Sequence, residues 1–183
     1  MDRVICTAGG RAFDPIDPDP AVIDLRDIAH ALSFVPRFGG HSRLFYSVAQ
    51  HSVLVRDLVA EQCAEDRILG AALLHDAAEA YLLDMPSPIK RSLPDYTAAE
   101  KRLQRIIETR YGVAQLSDAE RALIKEADQI ALIWEQRDIM PAVAWAELPS
   151  LDRPALDVWS PDVARQAFLT AADTHLNLEK AIA

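Results

Sequence analysis

Residues 64–83, AEDRILGAALLHDAAEAYLL, hold the pattern that decides the fold. Small and apolar residues recur there every three or four positions, which is the period of an α-helix with one buried face. His75 and Glu79 share that face, and Asp76 lies one step around it. The segment therefore predicts a helix that carries imidazole and acidic side chains into an apolar interior. The two prolines of the following DMPSPIK end it, because proline lacks an N–H and restricts the residue before it.

Helical periodicity continues on both sides of this segment. Helices are predicted from Asp24 to before Pro36, along the stripe Leu44, Val48, His51, Val55 and Leu58, from the capping boxes Thr97–Glu100 and Ser117–Glu120, and from Pro161 onward. Residues 1–22 are rich in Gly, Pro and Asp, which predicts a short extended arm or hairpin. We therefore expect an all-α bundle of about five or six helices with a short N-terminal extended arm.

Length and composition indicate one domain. The chain has 183 residues, of which 50% are hydrophobic and 26% charged, so it can fill a core and still cover itself with polar groups. We divide it into an N-terminal arm (1–23), a helical core (24–140) and a C-terminal helical extension (141–183).

Charge and cysteine content exclude several classes of function. A formal net charge of −9 opposes binding to a nucleic acid polymer, which needs a basic surface. No apolar run approaches the roughly 20 residues of a membrane span, and the N-terminus lacks the pattern of a secretory signal. We expect a cytoplasmic protein without a membrane partner. Cys6 and Cys63 lack the spacing of a redox or zinc motif.

Four polar side chains interrupt the predicted apolar stripes, namely those of His51, His75, Asp76 and Asp128. A buried charge costs several kcal/mol unless it is paired or binds a metal. Two imidazoles and two carboxylates suit Mn, Co, Ni, Fe, Zn or Mg, and the absence of thiolate argues against an iron–sulfur or structural zinc centre. The pattern therefore predicts a divalent metal site, and Glu79 is placed one turn along to take or give a proton.

Three segments carry a family resemblance: YSVAQHS (46–52), ALLHDAAEAYLLDMPSPIK (72–90) and KEADQIALIWE (125–135). Together they resemble the HD-domain superfamily of metal-dependent phosphohydrolases. The closer similarity is to bacterial HD-domain 5′-deoxyribonucleotidases and related phage-type hydrolases, and it covers roughly residues 24–140.

This resemblance implies roles residue by residue. It implies one divalent metal held by His51, His75, Asp76 and Asp128, catalytic roles for Glu79 and Asp84, substrate-phosphate contacts from Arg37 and Lys90, and pocket positions for Phe38 and Ser87. Phe38 stands where those nucleotidases have a tryptophan that helps recognise the sugar, so ribose and deoxyribose substrates both stay open. The resemblance also implies a homodimer and a small nucleotide substrate, most simply a (deoxy)nucleoside 5′-monophosphate.

Other interpretations stay open at this point. The same ligands serve HD hydrolases of nucleoside triphosphates, cyclic nucleotides or alarmones, and a nucleotide-sensing module could keep the metal without turnover. A structural helical protein with a polar cluster is the third alternative. We expect one metal ion, because His30, His41 and His175 do not match the extra ligands of binuclear HD proteins.

Overall fold

The chain folds around long helices in the computed structural model, which describes residues 3–142, 149–150 and 152–176. The helices are α1 (Leu25–Phe34), α2 (Val48–Ala60), α3 (Asp66–Leu73), α4 (Glu79–Leu82), α5 (Ser87–Lys90), α6 (Pro94–Arg110), α7 (Asp118–Ile139) and α8 (Pro161–His175). Single 3-10 turns lie at Pro20–Val22 and Arg37–Gly40. The predicted all-α bundle is confirmed, with α4 and α5 as short additions to six longer helices in the described part of the chain.

The N-terminal arm is a hairpin locked onto the bundle. Strands β1 (Ile5–Cys6) and β2 (Ala12–Phe13) pair antiparallel. The buried Asp27 of α1 accepts hydrogen bonds from the Gly9 N–H at 2.6 Å and from Arg11 at 3.1 Å. Phe13 stacks on Tyr81 of α4 with ring centroids 4.2 Å apart. The arm thus holds α4 against α1.

Helix α2 lies at the centre of the bundle, in contact with α1, α3, α7 and α8. Buried aliphatic and aromatic side chains surround it, and each fully buried Val, Leu, Ile or Phe among them contributes about 1.5–3 kcal/mol on removal from water. Since His51 belongs to α2, this packing carries an imidazole into the core. The predicted extension at 141–183 lies partly outside the described residues, but its helix α8 packs on α1, α2 and α3 as part of the same bundle.

Capping residues fix where the helices begin. The Asp24 carboxylate caps α1, and the capping box of Ser117 and Glu120 starts α7 as predicted. The capping box expected at Thr97 is wrong, because α6 begins earlier with Pro94 as its first residue. Leu44 is exposed outside α2, which begins after its Ser47 cap.

The continuous helix predicted over residues 64–83 is wrong in the middle. Helix α3 ends at Leu73, α4 begins at Glu79, and residues 74–78 form turns. The side chain of Gln104 on α6 lies at this break: its Nε2 donates to the Leu74 carbonyl at 2.7 Å, and its Oε1 accepts from the Ala78 N–H at 3.0 Å. Those two backbone groups would bond each other in a regular helix. The inserted amide therefore replaces one helical hydrogen bond and opens the chain at His75 and Asp76.

None of the helices in the described part of the chain is both long enough and apolar enough to cross a membrane.

Candidate metal centre

Two imidazoles meet inside the bundle. His51 of α2 is fully buried, and His75, in the turn after α3, is 14% exposed. Their Nε2 atoms lie 3.3 Å apart. Two ring nitrogens at this distance point to a common position, where they could share a cation or a proton.

The other nitrogen of each ring is held by an acceptor. His51 Nδ1 lies 2.6 Å from Glu135 Oε1, and His75 Nδ1 lies 2.8 Å from the Ala72 carbonyl oxygen. An Nδ1–H that donates to these acceptors fixes the tautomer in which Nε2 keeps its lone pair. Metal-binding histidines are typically oriented in this way.

Two carboxylates complete the cluster. Asp76 Oδ2 lies 3.2 Å from His75 Nε2 and 3.7 Å from His51 Nε2, and ligand atoms of these three residues all lie within 4.8 Å of one another. They form a group that could hold a metal ion. Asp128 Oδ1 lies 3.2 Å from His51 Nε2 and 4.0 Å from His75 Nε2. The structure thus brings together all four residues that the sequence singled out, with Asp128 on the solvent side.

The charges of the cluster depend on one another. Burial raises the pKa of Asp76, but the imidazoles of His75 and His51 outweigh it, and the pKa lies well below its usual range. Burial and Arg37 lower the pKa of His51, whereas Glu135 and Asp128 raise it, and the balance leaves it at about 9. Because a metal ion binds only a deprotonated Nε2 of His51, metal binding would be coupled to proton release.

Glu135 is a site residue whose role the sequence reasoning missed. It is fully buried on α7, seven residues after Asp128 and therefore on the same helical face. Its Oε1 holds His51, and its Oε2 accepts from Arg37 Nε at 3.1 Å. The signal was present, because a carboxylate on a buried apolar stripe needs a partner.

Arg37 lies behind the cluster. Its Nε and Nη2 both lie 3.1 Å from Glu135 Oε2, and Nη1 lies 3.8 Å from Asp76 Oδ2. Two of its nitrogens therefore hold Glu135, and Nη1 faces the metal-ligand candidates. The substrate-phosphate contact expected of Arg37 stays a prediction and rests on Nη1.

Two further acids border the cluster. Glu79, the first residue of α4, is buried; its Oε1 lies 3.7 Å from Lys90 Nζ, and its Oε2 has no hydrogen-bond partner among the described residues. Burial, followed by Asp76 and Asp84, raises the pKa of Glu79 to about 10. Asp84 is half-buried, and burial also raises its pKa. Burial beside two other acids therefore favours the protonated form of the Glu79 carboxyl group.

The predicted pocket residues lie farther out. Phe38 is half-buried beneath the Arg37 guanidinium, which lies 5.4 Å from its ring centroid, and its φ of 57° is left-handed. Ser87 is exposed at the start of α5 and lines a groove with Lys90. Their pocket roles stay predictions.

The remaining histidines lie elsewhere. His30 packs against Phe34, His175 pairs with Asp66 at 2.9 Å, and His41 is exposed. Within the described residues, none of the three joins a group of possible metal ligands.

Fold and site together define an all-helical protein with a cluster of two histidines and two aspartates between its helices, in which only His51 is fully buried. No family model matches the chain. It is 43% identical over 137 residues to the uncharacterized protein YfdR of Escherichia coli strain K12. The matched region covers 74% of this chain and 71% of YfdR. It is 38% identical over 136 residues to an uncharacterized protein of Rhodobacter capsulatus, covering 71% of this chain and 69% of that protein. The chain belongs to the family of these two proteins.

Proposed function

We propose that this protein is a metal-dependent phosphohydrolase of the HD-domain type that releases phosphate from a nucleotide, with a (deoxy)nucleoside 5′-monophosphate as the simplest substrate. The observation that carries the proposal is the pair of imidazoles with Nε2 atoms 3.3 Å apart, each held through its Nδ1. Pre-oriented imidazoles beside two carboxylates form a nitrogen and oxygen ligand set for Mn, Co, Mg, Ni, Fe or Zn.

The donor set would suit one divalent ion, since ligand atoms of His51, His75 and Asp76 all lie within 4.8 Å of one another. His51 and His75 would hold it through Nε2, and Asp76 and Asp128 through carboxylate oxygens. When bound, such an ion lowers the pKa of a coordinated water and polarises a phosphoryl oxygen, which are the two requirements of phosphate-ester hydrolysis.

Glu79 supplies the proton that the leaving nucleoside needs. With its pKa raised to about 10, its carboxyl group holds a proton at neutral pH and can donate it to the ester oxygen. Asp84 is a second acid that can pass protons between Glu79 and solvent. Arg37 Nη1, beside Asp76, would neutralise a phosphate oxygen, and Lys90 beside Glu79 would do the same from the other side.

The state of Glu79 supports turnover over nucleotide sensing. A buried carboxyl oxygen without a partner among the described residues costs stability. A module that only binds a nucleotide has no use for such a group, whereas an acid catalyst requires an available proton. Buried ionisable groups with a shifted pKa are typical of functional sites.

The test is phosphate release from a panel of ribo- and deoxyribonucleoside mono- and triphosphates. Chelator-stripped protein is resupplied with Mn, Co, Mg, Ni, Fe or Zn in turn. We expect hydrolysis of nucleoside 5′-monophosphates that depends on added metal and is abolished by chelator. Metal binding without hydrolysis of any nucleotide would reject the enzyme and leave a sensing module, and activity that survives chelation would reject the metal mechanism.

A further inference from the structure

A basic groove begins beside the proposed catalytic acid. It has a volume of about 570 Å³ and lies between α5 and α6. Three cations line it, Lys90, Arg91 and Lys101, together with the hydroxyls of Ser87 and Thr97. None of the described residues that line it is acidic. The residues that line the groove therefore carry positive charge, although the chain as a whole has a net charge of −9.

Two of these cations are available to a ligand. Arg91 and Lys101 are exposed, and neither has a carboxylate within 4.0 Å among the described residues, whereas other arginines such as Arg67 and Arg153 are paired. Arginine and lysine side chains of this kind form charge-assisted hydrogen bonds with phosphate oxygens.

The groove is joined to the metal centre through Lys90. Its Nζ lies 2.6 Å from Glu100 and 3.7 Å from Glu79 Oε1. Helix α6 also begins in the groove at Pro94, and its N-cap residue offers no side-chain acceptor for the first N–H groups. The positive end of this helix adds to the field of the cations, opposed by Asp95 in its first turn.

We propose that this groove binds a second phosphate group of the nucleotide substrate, either at the 3′ position of the sugar or, in a 5′-diphosphate, the phosphate that stays on the nucleoside when the terminal phosphate is released. The proposal rests on the proposed function and narrows the substrate class. The phosphate that is released lies at the metal centre, and the second phosphate lies between Arg91 and Lys101.

The test is a binding titration of chelator-treated protein, in which no hydrolysis takes place. The ligands are deoxythymidine 5′-monophosphate, the 3′,5′-bisphosphate and the 5′-diphosphate. We expect at least one of the two-phosphate ligands to bind about tenfold or more tightly than the monophosphate, because each charged contact is worth about a factor of ten. The double variant Arg91→Gln, Lys101→Gln should lose that advantage and keep its affinity for the monophosphate. Arg102→Gln, an exposed cation next to Lys101 that does not line the groove, should retain the advantage.

The proposal is overturned if the wild type binds all three ligands with equal affinity. It is also overturned if the double variant still binds a two-phosphate ligand more tightly than the monophosphate. The bisphosphate and diphosphate arms show which of the two positions the groove recognises. Binding is measured without metal, so the two proposals can fail separately. If no nucleotide is hydrolysed, the enzyme proposal is rejected; if a two-phosphate ligand still binds more tightly than the monophosphate, the groove remains a phosphate-binding site.

A separate observation concerns Gln104. In a regular helix, residues next to each other in sequence do not face each other. Here His75 Nε2 and Asp76 Oδ2 converge to 3.2 Å, because the Gln104 amide occupies the hydrogen bond between Leu74 and Ala78. Glu108 Oε1 accepts from Gln104 Nε2 at 3.0 Å and fixes the orientation of the amide.

We infer that Gln104 is a positioning residue for the metal centre, acting through the turn at 74–78. Gln104→Met keeps the size of the side chain and allows Ala78 N–H to bond the Leu74 carbonyl in a regular helix. Metal affinity should fall by about 10–100-fold, the range found when residues behind metal ligands are lost.

Two measurements decide the inference. The first is metal affinity by competition with a chelator, and the second is the NMR spectrum of the imidazoles in metal-free protein. We expect the His75 resonances to move in Gln104→Met, while Gln129→Met, at an exposed position of α7, changes neither quantity. Unchanged His75 resonances in Gln104→Met would reject the inference whether or not the wild type binds metal, and so would a metal affinity within about twofold of the wild type.

Discussion

His75→Ala is expected to abolish metal binding while leaving the helical bundle folded. The wild type should retain about one ion per chain after incubation with Mn²⁺ and desalting, and the variant close to none. His75 contributes its Nε2 to the cluster and lies in a turn, so its loss removes a ligand without breaking a helix. At a metal concentration of a hundred times the Kd, the free energy of unfolding of the wild type should rise by about 2.7 kcal/mol, and that of the variant should not rise.

His175→Ala provides the matched control. That imidazole pairs with Asp66, which lies outside the cluster, so this variant should bind metal like the wild type. Metal content is measured by elemental analysis, and stability by urea denaturation with and without metal. Equal metal content in His75→Ala and the wild type would place the ion elsewhere or show that the cluster is only structural.

Glu79→Gln is expected to keep the metal and lose turnover by about 10²–10⁴-fold, the contribution of a general acid. The pKa of Glu79 is raised to about 10, so its carboxyl group is neutral at pH 7. Glutamine matches that neutral form in shape and hydrogen bonding, and the fold should therefore be undisturbed. It differs in having no proton that can be transferred to a leaving oxygen. The measurements are kcat on a nucleoside 5′-monophosphate, metal content and thermal stability.

Asp27→Asn is the control: it changes a buried carboxylate that is expected to matter for stability and not for turnover. Asp27 is also a buried carboxylate, but it holds Gly9 and Arg11 of the N-terminal hairpin. We expect this variant to lose about 1–3 kcal/mol of stability, because it weakens hydrogen bonds to a charged group, and to keep kcat.

Undiminished kcat in Glu79→Gln would remove Glu79 from the proposed mechanism.

His75→Ala and Glu79→Gln test metal binding and proton donation separately. His75→Ala should lose metal and turnover together, whereas Glu79→Gln should lose turnover alone. A metal lost in both variants would make Glu79 a ligand; in the structure its Oε1 lies 3.7 Å from Lys90 Nζ, and among the described residues it is not part of the group of possible metal ligands.

Much of the bundle follows from local pattern. The period of apolar residues predicted α1, α2 and α7 with small errors at their ends, since each buries one stripe and has a recognisable cap. The four candidate ligands were found for the same reason: a charged or imidazole side chain within an apolar stripe stands out because its burial is costly.

What the sequence by itself determined was which side chains are buried together, because helical periodicity is a local property of the chain. The tertiary structure decided how they face one another. Gln104 follows Asp76 by 28 residues, and only packing shows that its amide bonds the turn at 74–78. Likewise, Arg37 and Glu135 are 98 residues apart and meet behind His51 only after α2 and α7 have packed. Hydrogen bonds between distant segments leave no periodic signal, so the geometry that orients the candidate metal ligands belongs to the folded chain alone.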